Sequence, residues 1–216
     1  MIRFFSETLL ILYMTAGCLL QARATRGHAE EQITIESRTT TWVNQASSLL
    51  RQAAVWGGIE DYRSDCGIDP DLRLPAFNGT LREALTRLVS QDPNLSWQST
   101  DDGILVRKNP PTRSLLDVRI AHFTFDKNGP PDRATNALLN LPSVRRRMNA
   151  LDMSVRSPEL GFAQEKRNSE SILTLKNITL RQGLNAIAHS TPPRVWLFRQ
   201  STCGGHRTIQ IQWIIK

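Results

Sequence analysis

The chain has 216 residues, with 27 Lys plus Arg against 20 Asp plus Glu, a formal net charge of +7, and 40% hydrophobic and 22% charged positions. These proportions exclude a collagen-like, low-complexity or wholly disordered chain. Its length allows one ordinary domain or two small ones, and the 3 Cys are too few for a disulfide-dense scaffold, so the core must come from apolar packing.

Residues 1–24 have the layout of a secretory signal: Arg3 near the start, an apolar stretch from Thr8 to Leu20, then Ala22-Arg23-Ala24 as the cleavage site. The stretch is short for a permanent bilayer span, and no run of eighteen apolar residues follows it. Cleavage after Ala24 predicts a periplasmic or secreted protein. An alternative processing signal overlaps it. Thr15-Ala16-Gly17-Cys18 is similar to a bacterial lipoprotein signal, with Thr15 where Leu is usual; acylation of Cys18 would give a membrane-anchored lipoprotein. After cleavage at Ala24, Cys66 and Cys203 remain as a candidate disulfide in an oxidising compartment. That bond requires their Cα atoms to approach within about 7 Å.

Ile33 and Ile35 alternate with polar neighbours, which predicts a strand. Trp42, Val43, Ala46, Leu49, Leu50, Ala53 and Ala54 then form one apolar helical face, expected to end at Gly57-Gly58. Thr80 and Glu83 make a capping box, followed by the stripe Leu81, Ala84, Leu85, Leu88 and Val89, with Pro93 as the stop. A Trp-bearing strand, Leu95 to Gln98, is expected to turn at Asp101-Asp102-Gly103 into a final strand from Gly103 to Lys108. Asn109-Pro110-Pro111-Thr112 reads as a stiff linker.

Beyond it, Val118, Ile120, Phe123 and Phe125 suggest a strand. A helical run from Asp132 through Leu151 is interrupted by Pro142, which predicts two short helices. Thr179 and Gln182 repeat the capping box, and Leu180, Leu184, Ile187 and Ala188 repeat the stripe. Arg194 to Arg199 is the second Trp-bearing strand; a longer loop, Ser201 to Arg207, is expected before a last strand from Thr208 to Ile214.

The two halves match when the chain is laid over itself at an offset of ninety-nine. Asn78, Thr80, Leu81, Arg82, Leu85, Pro93 and Trp97 then fall on Asn177, Thr179, Leu180, Arg181, Leu184, Pro192 and Trp196 without a gap. That period is too long for a solenoid. The reading is an α+β protein of two tandem small domains, residues 25–110 and 111–216, each packing amphipathic helices on short sheets.

The segment Asn78 to Leu88, set between strands and followed by a Trp-bearing hairpin, resembles the secretin and TonB short N-terminal domain. Asn177 to Ile187 resembles it more weakly, with Gly183 where the first copy has Ala84. The resemblance implies an envelope module of two helices against small sheets that serves in docking or signalling and carries no chemistry. No barrel-length series of alternating strands follows within the 216 residues, so neither a pore nor ligand import is expected.

Residues that could carry chemistry give little pattern. His28, His122, His189 and His206 are scattered, with His189 placed after the second repeat helix. Cys203-Gly204-Gly205-His206 has C-x-x-H spacing without a second ligand pair, so no metal is expected, and the Gly pair suits a hairpin turn. Asp101-Asp102 and Glu60-Asp61 are adjacent carboxylates expected as solvated turn charges. No nucleotide-binding or hydrolase motif occurs, so neither a cofactor nor catalysis is expected. Trp97 and Trp196 are read as core fillers. Arg145, Arg146 and Arg147 offer a candidate partner surface, although consecutive helical positions stand about 100° apart and cannot all face one way. Export argues against nucleic acid as the partner.

These readings converge on an exported cell-envelope docking protein that binds another protein and touches a membrane only if lipidated at Cys18. The alternative is a binder of cell-wall glycan or another anionic envelope polymer, and a third is an unrecognised small hydrolase.

Overall fold

The computed structural model describes residues 28–64, 66, 67, 69–101, 103–156, 171–190 and 195–214. The expected signal segment and Cys18 lie outside the described residues. In the first repeat, a short 3-10 turn (His28–Glu30) leads into β1 (Gln32–Ile35), β2 (Arg38–Thr41), α1 (Trp42–Gln52), β3 (Gly57–Arg63), β4 (Asp71–Leu74), β5 (Phe77–Thr80), α2 (Leu81–Val89) and the hairpin β6 (Leu95–Thr100) and β7 (Gly103–Lys108). The second repeat starts with another 3-10 turn (Leu115–Asp117). It continues through β8 (Arg119–Asp126), α3 (Pro131–Leu139), α4 (Pro142–Ala150), β9 (Met153–Val155), β10 (Ile172–Thr179), α5 (Leu180–Ser190), β11 (Val195–Cys203) and β12 (His206–Ile214).

Local chemistry fixes the helix starts. In α2 the Glu83 N–H donates to Thr80 Oγ1 at 3.2 Å while the Thr80 N–H donates to Glu83 Oε2 at 2.9 Å. In α5 the Gln182 N–H donates to Thr179 Oγ1 at 3.1 Å and the Thr179 N–H to Gln182 Oε1 at 2.9 Å. Both are reciprocal caps that satisfy orphan donors. The next N–H of each helix reaches back to the start of its own repeat: Leu81 donates to the Glu31 carbonyl at 2.8 Å and Leu180 to that of Val118 at 3.0 Å. Helices α3 and α4 each begin at a proline, whose missing N–H costs nothing in a first turn.

The architecture is α+β, built around one six-stranded sheet of order β6-β7-β3-β11-β12-β9. Each repeat contributes three adjacent strands in the same order and sense: an antiparallel hairpin whose second strand pairs in parallel with a third. The trios join through parallel pairing of β3 with β11, from Gly57↔Val195 to Arg63↔Ser201. Corresponding strands therefore run in opposite directions, as they do after a half-turn about an axis across the strands. That half-turn also exchanges the faces of the sheet. Helices α1 and α2 pack on one face, beneath the small pairs β1–β5 and β2–β4; α3, α4 and α5 pack on the other, beneath β8–β10.

Two apolar clusters result, one per face. The first contains Ile33, Trp42, Leu49, Leu81 and Leu85, and the second Phe123, Leu138, Leu180, Leu184 and Trp196. Side chains alternate between faces along each central strand, so each cluster takes residues from the other repeat. Val195 and Leu197 join the first; Tyr62 and Leu105 join the second. The sequence boundary near residue 110 thus separates two clusters without separating two sheets.

Three local expectations are corrected. Gly57-Gly58 does not end α1, which stops at Gln52; the pair opens central strand β3, where a Cβ on Gly57 would strike the Ile104 backbone and one on Gly58 the Trp196 ring. Ser201 to Arg207 is not a long loop, because β11 and β12 stay paired to Cys203↔His206 around Gly204-Gly205, both at positive φ. His189 lies within the last turn of α5 rather than after it.

Candidate functional site

The most unusual chemistry of the fold is at the centre of β3. Glu60 and Asp61 are both fully buried, not the solvated turn charges expected from their sequence setting. Because they are adjacent on a strand, they point to opposite faces of the sheet.

On the second-repeat face, Glu60 accepts from Arg181 on α5, at 2.5 Å from Nε and 3.3 Å from Nη2, and from the Tyr62 hydroxyl at 3.0 Å. The Arg107 Nε stands 4.0 Å away. Arg181 also donates to Asp117 at 2.6 Å, and Tyr62 shares a 2.6 Å hydrogen bond with Ser114. Burial works against the Arg181 charge, but hydrogen bonding and attraction from Glu60 and Asp117 outweigh it and hold its pKa above the ordinary value. Burial, reinforced by the Glu60 charge, pushes the Tyr62 hydroxyl up, so it stays protonated.

On the first-repeat face, Asp61 Oδ2 accepts from Arg63 Nε and from Arg199 Nε of β11, each at 2.8 Å. Arg63 continues to Asp69 and, at 3.0 Å, to the Gly67 carbonyl. Lys108 bonds Asp69 at 2.9 Å and Asp92 at 3.2 Å. Each buried carboxylate is thereby neutralised by an arginine of the other repeat, Arg181 for Glu60 and Arg199 for Asp61. Paired acid–base chemistry needs two carboxyl groups converging on one reactant; these two diverge across the sheet. What the arrangement does is tie the repeats together.

The outer edges of the sheet are different. Among the described residues, no strand pairs with the far side of β6. The Asn109 N–H donates to the Asn94 carbonyl at 3.1 Å, so antiparallel alternation directs the next hydrogen-bonded positions of β6, Ser96 and Gln98, toward β7. The N–H groups of Trp97 and Ser99 face outward. This six-residue edge carries no charge and no proline, the devices that normally blunt a free edge.

The remaining sequence candidates are dispersed. Cys66 and Cys203 are bonded, with Cα atoms 5.2 Å apart, linking the segment after β3 to the tip of the β11–β12 hairpin. With its sulfur in the disulfide, Cys203 is no thiolate donor for a metal beside His206, and no metal-competent group of three His, Cys, Asp or Glu occurs among the described residues. Arg145 and Arg146 are exposed on α4 while Arg147 is half-buried. His122 is exposed and bonds Thr124 at 3.1 Å; His189 packs edge-on to Trp56, with centroids 4.6 Å apart. Trp196 is fully buried and Trp97 half-buried, with the Arg82 guanidinium 5.8 Å from its ring centroid. Asp102 lies outside the described residues.

Sequence reasoning missed the Glu60–Arg181 and Asp61–Arg199 pairs. One signal was present: Arg82 and Arg181 coincide in the repeat alignment, and each bonds an acid of its repeat's 3-10 turn, Glu30 at 2.7 Å and Asp117 at 2.6 Å. No protein-family model, curated protein or solved structure matches the chain. No helix among the described residues is long and apolar enough to cross a membrane.

Proposed function

We propose that this chain is an exported cell-envelope protein, periplasmic or secreted, that holds a protein partner and carries out no chemistry of its own. Residues 1–24 support export, and a disulfide suits an oxidising compartment. The observation that carries the docking role is the uncharged, unblunted edge of β6, backed by a sheet that ion pairs hold rigid. An extended segment of a partner adds to such an edge through main-chain hydrogen bonds.

A photo-crosslinking residue at the exposed position 96, introduced into cells of the source, tests this reading. A discrete protein adduct is expected, and Ser99→Pro should abolish it, because proline removes an outward N–H without touching the β7 ladder. Thermal unfolding of Ser99→Pro should show that the fold is kept. No adduct, or an adduct indifferent to Ser99→Pro, would contradict docking at this edge.

One observation favours the glycan-binding alternative. A groove of about 660 Å³ beside α5 is lined by Trp56, His189, Asn185, Gln182 and Asp101, among others, combining an aromatic face with polar groups. Cosedimentation with cell wall that is lost in Trp56→Ala, without a protein adduct at position 96, would favour it.

A further inference from the structure

The face of the central sheet that carries Asp61 changes character along its length. Ile59, Val195, Leu197 and Ile214 belong to the apolar packing with α1 and α2. Two residues further along β3 and β11 the same face becomes polar. Strand register places Asp61 beside Arg199 and Arg199 beside Gln210, with Arg63, Ser201 and Thr208 forming the next row. The Arg156 N–H donates to the Ile209 carbonyl at 2.7 Å and extends the β9 pairing by one residue, bringing Arg156 level with Gln210.

A cleft of about 230 Å³ opens over these rows, with the Cys66–Cys203 disulfide in its wall. Among the described residues, its charged lining residues are Arg63, Arg156 and Arg199; Ser201, Thr208 and Gln210 add neutral donors. The carboxylates that hold two of these arginines, Asp61 and Asp69, are not part of the lining. Lys108, bridging Asp69 and Asp92, leaves that local balance unchanged, so among the described residues three guanidinium groups stand against two acids. Arg199 uses only Nε on Asp61, and the Arg156 side chain makes no ion pair with any described residue.

We propose that this cleft is a binding site for an oxyanion of the phosphate class. The guanidinium N–H groups of Arg199 and Arg156 that no described residue engages supply charge-assisted hydrogen bonds to two of its oxygens, and the Ser201 and Thr208 hydroxyls, bonded to each other at 2.9 Å, leave one O–H to supply a neutral one. Arg63 contributes charge while holding its wall through Asp61, Asp69 and Gly67. The disulfide keeps the two sides of the cleft at a fixed separation. The proposal is independent of docking at β6. The phosphate has two sources, a free anion or an anionic lipid headgroup.

Calorimetry of the disulfide-intact protein with inorganic phosphate in low-salt chloride buffer, and flotation with phosphatidylglycerol or phosphatidylcholine vesicles, test it. Binding in at least one anionic arm should weaken about tenfold in Arg156→Gln, the loss of one charge-assisted hydrogen bond. Gln210→Glu, which places a like charge in the cleft, should weaken it at least as much. Arg73→Gln, at an exposed position on β4 that is not among the cleft's lining residues, should stay within about twofold because no hydrogen bond to the anion is lost. Binding of phosphate without vesicles identifies a free anion as the ligand, and selective binding of phosphatidylglycerol identifies a headgroup. No binding in either arm overturns the proposal, as does binding that Arg73→Gln weakens as strongly as Arg156→Gln.

Discussion

Glu60 and Glu30 make a natural comparison, because repeat-related arginines, Arg181 and Arg82, reach them. The Arg82–Glu30 pair is about half exposed on both sides, whereas Glu60 is fully buried and Arg181 only 20% exposed. Removing one partner of a buried pair leaves an uncompensated charge out of water, which costs about 3 kcal/mol, while an exposed pair contributes under about 1 kcal/mol. Glu60→Gln is therefore expected to lower unfolding free energy by about 3 kcal/mol in urea titrations, and Glu30→Gln by less than about 1 kcal/mol. Equal small losses would show that the buried pair does not bind the repeats together. From sequence, Glu60 and Asp61 carry only the local look of turn residues after a Gly pair; their burial is set by the flanking strands β7 and β11, the second more than a hundred positions away, which no local pattern encodes.

At the scale of elements, helices were the most legible part of the chain. Thr80-Glu83 and Thr179-Gln182 announce their starts, and the stripes after them point into the two cores as read. Pro142 separates two helices for the reason proline always gives, its missing N–H. Gly57-Gly58 misleads because glycine serves both as a helix stop and as a place of close approach, and only tertiary packing tells which. Here Gly58 makes room for the Trp196 ring, whose Nε1 donates to Asn185 at 2.8 Å. Gly58→Ala should force that ring to move and destabilise the protein by about 1–3 kcal/mol, read as a lower urea midpoint together with a changed Trp196 environment. An unchanged midpoint and spectrum would mean that the contact is slack.

For the whole molecule, the repeat was readable from its identities but its consequence was not. Two copies of one pattern suggest two bodies in a row, and nothing local indicates that β3 of one copy pairs with β11 of the other. Once they pair, each cluster takes side chains from its neighbour and Arg181 and Arg199 cross the junction, so the repeats are expected to unfold as one unit.

The most direct test uses fluorine-labelled tryptophan and urea, following Trp97 as reporter of the first repeat and Trp196 of the second with the disulfide intact. The shared sheet predicts one common midpoint for both resonances, shifted together by Glu60→Gln. Separate midpoints, or a Glu60→Gln shift confined to one repeat, would contradict it.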